Sequence, residues 1–263
     1  MSLYEDLASA TRSERPVALA TVIEGPNAGA KLLVSPDVPP EGSLGDPDLD
    51  RVVARDASGE LAAGLSRVRR YGPHGEARQD EVAVFIESFV PPPQMVIFGA
   101  VDFTAALVRV AKILGFRVIV CDARPVFATR ARFPTADEIV VDWPNRLLER
   151  IGPNLTRRDA ICVLTHDIKF DVPAIVAGLE TAAGYIGAMG SRRTHAERLL
   201  RLKEAGVDDA SLRRLHAPIG LDIGARTPEE TAVSVCAEII ALRNGMNDVR
   251  PLGATEGPIH RRG

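Results

Sequence analysis

Downstream of three consecutive prolines, Pro91–Pro93, five short apolar runs recur at roughly 20-residue intervals with helix-length segments between them. The runs are Met95–Phe98, Arg117–Asp122, Glu138–Asp142, Ala160–Leu164 and Gly184–Ala188, most of them rich in Val and Ile. Strands apolar on both faces belong in a sheet covered on both sides, so this rhythm predicts an α/β fold with a Rossmann-like parallel sheet. Thr104–Leu114 reads as the first crossover helix, with Leu107, Val110, Ala111 and Leu114 at i, i+3, i+4 and i+7 and Gly115 as its stop. Thr227-Pro228-Glu229-Glu230 is a capping box with proline at the first helical position. The helix it opens carries an apolar stripe of Ala232, Val235, Cys236, Ile239 and Ile240 and closes at Asn244-Gly245.

The prolines exclude helix and favour an extended spacer, and the sequence changes texture there, so residues 91–94 are read as a linker. Residues 1–90 form a smaller α+β domain in this reading. Val17–Ile23 and Lys31–Val34 are its strand candidates, Glu41–Asp48 a turn-rich loop and Asp48–Leu65 a helix. Arg67–Tyr71 and Glu81–Phe89 then flank Gly72-Pro73-His74-Gly75 as a hairpin. The Rossmann-like domain covers 95–245, and the Gly-, Pro- and Arg-rich tail 246–263 is expected to be flexible.

A net charge of −3 argues against a nucleic-acid or membrane-surface protein, which carries a basic excess. No apolar run approaches the roughly 18 residues of a membrane span. The first 16 residues lack an apolar core of signal-peptide length, so a cytoplasmic location is expected. Cys121, Cys162 and Cys236 lie far apart without a CxxC pair and are expected to be buried thiols. The five histidines are scattered, and no metal site is expected.

Five loops at the predicted carboxyl edge of the sheet could meet a ligand. In the first, Gly99-Ala100-Val101-Asp102, a dinucleotide fingerprint would place glycine where Val101 stands, so that the backbone can approach a pyrophosphate. A β-branched side chain is expected to fill that space. Asp122 ends the second strand where a ribose-binding carboxylate belongs, or else caps the turn that follows. Arg124 either meets a phosphate or pairs with Asp122. In Thr165-His166-Asp167, His166 is a candidate to hydrogen-bond a ligand near neutral pH, or a loop histidine bonded to backbone. Gly190-Ser191-Arg192-Arg193 opens a helix with Ser191 as its cap, which suits an anion; the alternative is a solvated first turn. Gly220, Asp222, Gly224 and Arg226 stand in the unusual stretch His216–Thr227, either a shaped anion-binding loop or a tight connection into the capped helix.

The stretches PPPQMVIFGA (91–100), GFRVIVCDAR (115–124), FATRARFP (127–134), VLTHD (163–167), YIGAMGSRR (185–193) and above all HAPIGLDIGARTPEE (216–230) resemble the xanthine dehydrogenase accessory protein family of XdhC/CoxI type. ALATV (18–22), GAKLLV (29–34), GSLG (42–45) and VFIE (84–87) resemble that family's smaller domain. The resemblance implies a maturation factor: a chaperone rather than a catalyst, which binds molybdenum cofactor (molybdopterin) transiently and assists its insertion into a molybdenum hydroxylase. The partner would be of xanthine dehydrogenase or carbon monoxide dehydrogenase type, and a homodimer is expected. The chain departs from the family pattern at Val101-Asp102, where Gly-His is usual, at Asp46-Pro47, which replaces further glycines, and in having no cysteine before Cys121. Two other readings stay open: an NAD(P)-dependent oxidoreductase, against which Val101 argues, and a non-catalytic nucleotide- or anion-binding partner protein.

Overall fold

A computed structural model describes residues 2–36, 38–77, 79–165, 167–246, 248–257 and 259. The chain divides into two compact units, Met1–Pro92 and Pro93–Gly263.

The first unit opens with helix α1 (Leu3–Arg12), which was not expected from the sequence. Its signal is a capping box in which the Ser2 hydroxyl accepts from the Glu5 amide and the Glu5 carboxylate accepts from the Ser2 amide. Then follow β1 (Val17–Glu24), β2 (Lys31–Val34), β3 (Glu41–Ser43), α2 (Pro47–Ala63), β4 (Arg67–Tyr71) and β5 (Val82–Phe89). The strands form an antiparallel sheet in the order β3-β2-β1-β5-β4. The segment read as a loop at Glu41–Asp48 is in fact the edge strand β3 followed by the start of α2. Asp46 is the N-cap of that helix, accepting from the amides of Asp48 and Leu49, and Pro47 is its first residue. Alternate residues Ala18, Ala20 and Val22 of β1 pack with Leu49, Val53, Ala57 and Leu61, four apart on α2. The register of β4 also turns Arg67 and Arg69 to α2, where both guanidiniums pair with the buried Glu60 carboxylate.

The second unit runs β6 (Gln94–Phe98), α3 (Asp102–Ile113), β7 (Arg117–Cys121), β8 (Glu138–Val140), α4 (Pro144–Ile151), β9 (Ala160–Val163), α5 (Ile168–Leu179), β10 (Tyr185–Ala188), α6 (Arg192–Glu204), α7 (Asp209–Leu212), β11 (Leu215–His216) and α8 (Pro228–Arg243). Its six strands are all parallel, in the order β11-β10-β9-β6-β7-β8. Strand alternation supplies two cores. Met95, Ile97, Val118 and Val120 pack with α3 and α8 on one face. Val96, Phe98, Ile119 and Cys121 pack with α4 and α5 on the other. Both helical stripes read from the sequence end one residue early. Leu114 is the C-cap of α3 and Ile240 sits off the buried face of α8, and both are exposed. Ser234 is buried instead, its hydroxyl donating to the Leu221 carbonyl at 2.6 Å. In the described part of the tail, Leu252–Ala254 forms one 3-10 turn. Among the described residues no helix is long and apolar enough to cross a membrane.

All three cysteines are free and buried. Burial pushes the thiols of Cys121 and Cys236 up to about 12, and that of Cys162 well above the ordinary value. Since the thiolate is the reactive form, a disulfide reagent at pH 8 is expected to label none of the three in the folded protein and all three in denaturant. Fast labelling of one thiol under native conditions would contradict this burial.

Candidate functional site

The chain builds the second sheet outward from β6 in both directions: through β7 to β8, then back across to β9, β10 and β11. The reversal lies between β6 and β9, and in open α/β sheets ligands bind outside the carboxyl ends of the strands at such a switch point. The loops after β6 and β9 meet closely there. Gly99 has φ +106°, and a Cβ on it would lie 2.9 Å from both the backbone nitrogen and Cγ2 of Thr165. Gly99 is therefore required by the approach of the β9 loop, independently of any ligand.

The second residue of that loop, Ala100, donates its amide to Asp122 Oδ2 at 2.8 Å. Arg124 grips the same carboxylate through Nε (2.9 Å), Nη2 (2.8 Å) and its own amide (3.0 Å). Burial alone would raise the Asp122 carboxyl; the Arg124 guanidinium and the two amides outweigh it and hold the group below the usual carboxylate range. Of the two sequence readings of Arg124, pairing with Asp122 is the one observed. Val101 follows Ala100 in the turn. It is the N-cap of α3 and packs against the core. Arg132 completes the turn, donating to the Ala100 carbonyl at 2.8 Å and reaching Asp102 at 3.3 Å. Beyond Asp122 the edge is aromatic and cationic. The Arg124 guanidinium lies 4.5 Å from the Phe127 ring centre, Lys169 Nζ lies 4.7 Å from that of Phe170, and Trp143 packs on Phe170 at 5.0 Å.

Thr165 does more than flank Gly99. Its hydroxyl donates to the Asp171 carboxylate on α5. Asp171 Oδ2 in turn accepts from Arg198 Nη2 at 2.8 Å, and the same nitrogen donates to the Met189 carbonyl at 2.7 Å. Both partners of this ion pair are almost wholly buried. The pair thus fastens the loop after β9 to the loop after β10. Asp171 and Arg198 were not singled out in the sequence, and their only visible signal is a charged residue on an otherwise inward-facing helix position. Asp167 caps α5, accepting from the Lys169 amide at 3.1 Å; His166 lies outside the described residues. Ser191 caps α6 as expected, accepting from the Thr194 amide at 3.1 Å. Arg192 and Arg193 open that helix in solvent, and Arg193 is engaged by Glu197 at 3.1 Å.

The His216–Thr227 stretch is anchored by another residue the sequence did not reveal, Glu238 on α8. Its Oε2 accepts from the Gly220 amide at 2.9 Å and from the Tyr185 hydroxyl, while Oε1 lies 3.4 Å from His216 Nδ1. The Tyr185 and His216 rings stack at 5.1 Å. Burial raises the Glu238 carboxyl, and the hydrogen bonds from His216, Tyr185 and Gly220 more than reverse this, leaving it below the usual range. Gly220 has φ +94° and is pressed against α8, where a Cβ would meet Ser234 Oγ at 2.5 Å. Asp222, Gly224 and Arg226 lie farther along the loop and are exposed. A separate cavity of about 420 Å³, lined by residues including Leu148, Pro153, Ala177 and Thr181, opens where α4 and α5 end, at the opposite edge of the sheet. Among the described residues no group of three or more His, Cys, Asp or Glu is placed to hold a metal ion.

The loops at this edge coincide with the stretches that carried the family resemblance. Residues 95–239 match the XdhC Rossmann domain, and residues 10–72 match the XdhC and CoxI family. The chain belongs to the XdhC family. Among its relatives, a Bacillus subtilis protein named as a probable xanthine dehydrogenase subunit is 36% identical over 160 residues, 61% of this chain and 46% of that protein. The molybdenum cofactor insertion chaperone PaoD of Escherichia coli is 37% identical over 84 residues, 32% of this chain and 26% of that protein. The uncharacterized protein YqeB of Escherichia coli is 27% identical over 275 residues, 100% of this chain and 49% of that protein. This XdhC-family chain therefore spans about half, or less, of the length of the curated relatives it matches. A crystal structure described as a xanthine dehydrogenase from Bacillus halodurans has the same fold, with TM-score 0.52 and 23% identity over 97% of this chain and 98% of that one.

Proposed function

We propose that this chain is a maturation factor that binds molybdenum cofactor as cargo, acts in the cytoplasm, and passes the cofactor to a molybdenum hydroxylase of xanthine dehydrogenase or carbon monoxide dehydrogenase type. Family membership, with a relative named as an insertion chaperone, is the observation that carries the reading. The sheet edge supports it. Molybdopterin pairs a flat pterin with a phosphate, and the edge offers aromatic rings, cations and the N-terminus of α6. The chain supplies binding and positioning, while the molybdenum does its chemistry in the recipient enzyme.

Trp143 is the only tryptophan, is 40% exposed and packs on Phe170 at this edge, so it reports on binding there. Titration with molybdenum cofactor is expected to change its emission saturably, and the loaded chain is expected to activate an apo-hydroxylase. A flat titration together with no activation removes the proposal. A dehydrogenase is the weaker reading, because both Asp122 oxygens that would accept ribose hydroxyls already hold Arg124 and the Ala100 amide. NADH and NADPH are expected to leave Trp143 emission unchanged up to millimolar concentration, and a micromolar response would reverse that preference.

A further inference from the structure

Arg198 has more donors than its surroundings use. It is 3% exposed, and its Nη2 is committed to Asp171 Oδ2 at 2.8 Å and to the Met189 carbonyl at 2.7 Å. Its Nε and Nη1 are shielded from solvent and have no hydrogen-bond partner among the described residues. One turn earlier on the same helix, His195 Nδ1 is buried and equally without a partner among them. A guanidinium cannot escape by losing its proton, and buried donors, above all charged ones, are costly to leave unmatched. Through Nη2 the Arg198 guanidinium lies against the turn that leads into α6. The Gly190 backbone rests beside that nitrogen: a Cβ there would come 3.5 Å from Arg198 Nη2 and 3.2 Å from Thr194 Cβ. Gly190 has φ +148°, and the turn it forms leads to Ser191, the helix cap.

We infer that the Met189–Ser191 turn and the start of α6, backed by Arg198, form the binding site for a phosphate-type oxyanion. The α6 N-terminus attracts negative charge, and the unmatched Arg198 nitrogens supply the acceptor demand that a solvated first turn would lack. Arg192 and Arg193, the residues singled out in the sequence, are exposed and act as outer charges. Arg198 is the group that would bond the anion, with Asp171 holding it in place. This deepens the cofactor-binding reading, on which it rests for the identity of the ligand, by naming where a phosphate ester of the cargo would seat. Free phosphate shares that chemistry.

The test uses the full chain with inorganic phosphate and with AMP, followed by calorimetry and thermal midpoint. Thr194→Glu is the informative variant. It completes a Ser-x-x-Glu capping box with Ser191, which favours the helix, and it places a carboxylate where the anion would sit. Wild type is expected to bind saturably and gain thermal stability with ligand, and T194E is expected to weaken binding at least 10-fold while folding normally. Arg198→Met is expected to lose binding as well. AMP bound more tightly than phosphate indicates an esterified ligand, and equal affinities indicate the free anion. Absence of saturable binding in wild type, or equal binding by wild type and T194E, overturns the site. Cofactor transfer separates the two proposals. If T194E loses phosphate but still delivers cofactor, the placement of the cargo fails and the maturation role stands. If wild type binds phosphate through Arg198 but never delivers cofactor, the anion site stands and the maturation role fails.

Discussion

Arg198→Ala is expected to destabilise the second unit by about 3–5 kcal/mol, because it removes a buried cationic partner of the Asp171 carboxylate. At about 2–4 °C per kcal/mol for a unit of this size, the thermal midpoint should fall by roughly 10 °C. The effect belongs to desolvation rather than to the attraction alone. Taking two charges out of water costs nearly as much as their interaction returns, so removing both should be far milder than removing one. Asp171→Asn combined with Arg198→Met keeps an acceptor for the Thr165 hydroxyl and fills the guanidinium's volume. The double variant is expected to recover most of the loss by calorimetric unfolding. A single variant within about 1 kcal/mol of wild type would show that solvent reaches the pair, and the role of the pair in fastening the two loops would fall with it.

The second unit was legible because strands buried on both faces are written as continuous apolar runs, and no partner needs to be known to recognise one. The same feature hid β11, whose two residues are too short for any periodicity. In the first unit, α1 escaped because only its capping box distinguishes it, and β3 because Glu41-Gly42-Ser43 has the composition of a turn. A backbone can pair along an edge whatever side chains it carries. The site was legible where chemistry is local. Asp122 and Arg124 are two residues apart, and Ser191 caps the helix it begins. It was illegible where the fold joins distant residues: 27 positions separate Asp171 from Arg198, and 53 separate Tyr185 from Glu238. Arginine at the start of a helix suggests an anion site from sequence. Arginine two turns later suggests a solvated face, and only the backward lean of helical side chains brings Arg198 under the turn that precedes its helix. Val101 stands at the N-cap of α3, half-buried against the core.

Glu238 allows the anchoring of the His216–Thr227 loop to be tested by pH. Glu238→Ala would strand the buried Tyr185 hydroxyl and the Gly220 amide, each costing about 1–3 kcal/mol, so a loss of roughly 2–4 kcal/mol is expected. Glu238→Gln is expected to cost little by comparison at neutral pH. Its carbonyl oxygen can replace Oε2, which accepts both of those bonds, but its NH2 can only donate, so the bond that His216 gives Oε1 is lost. Glutamine also loses the charge. The folded Glu238 carboxyl titrates below the ordinary value of 4.5, so the unfolded chain binds more protons in that window and folding gains stability as pH rises. The contribution is therefore complete above about pH 4.5 and disappears as pH falls through the folded value. The stability difference between wild type and E238Q should follow the same course, present at neutral pH and closing in acid. A constant difference from about pH 3 to 7 would mean that the carboxylate holds the loop by shape alone. Closure in acid would tie the conformation of the His216–Thr227 loop to one ionised residue on the helix behind it.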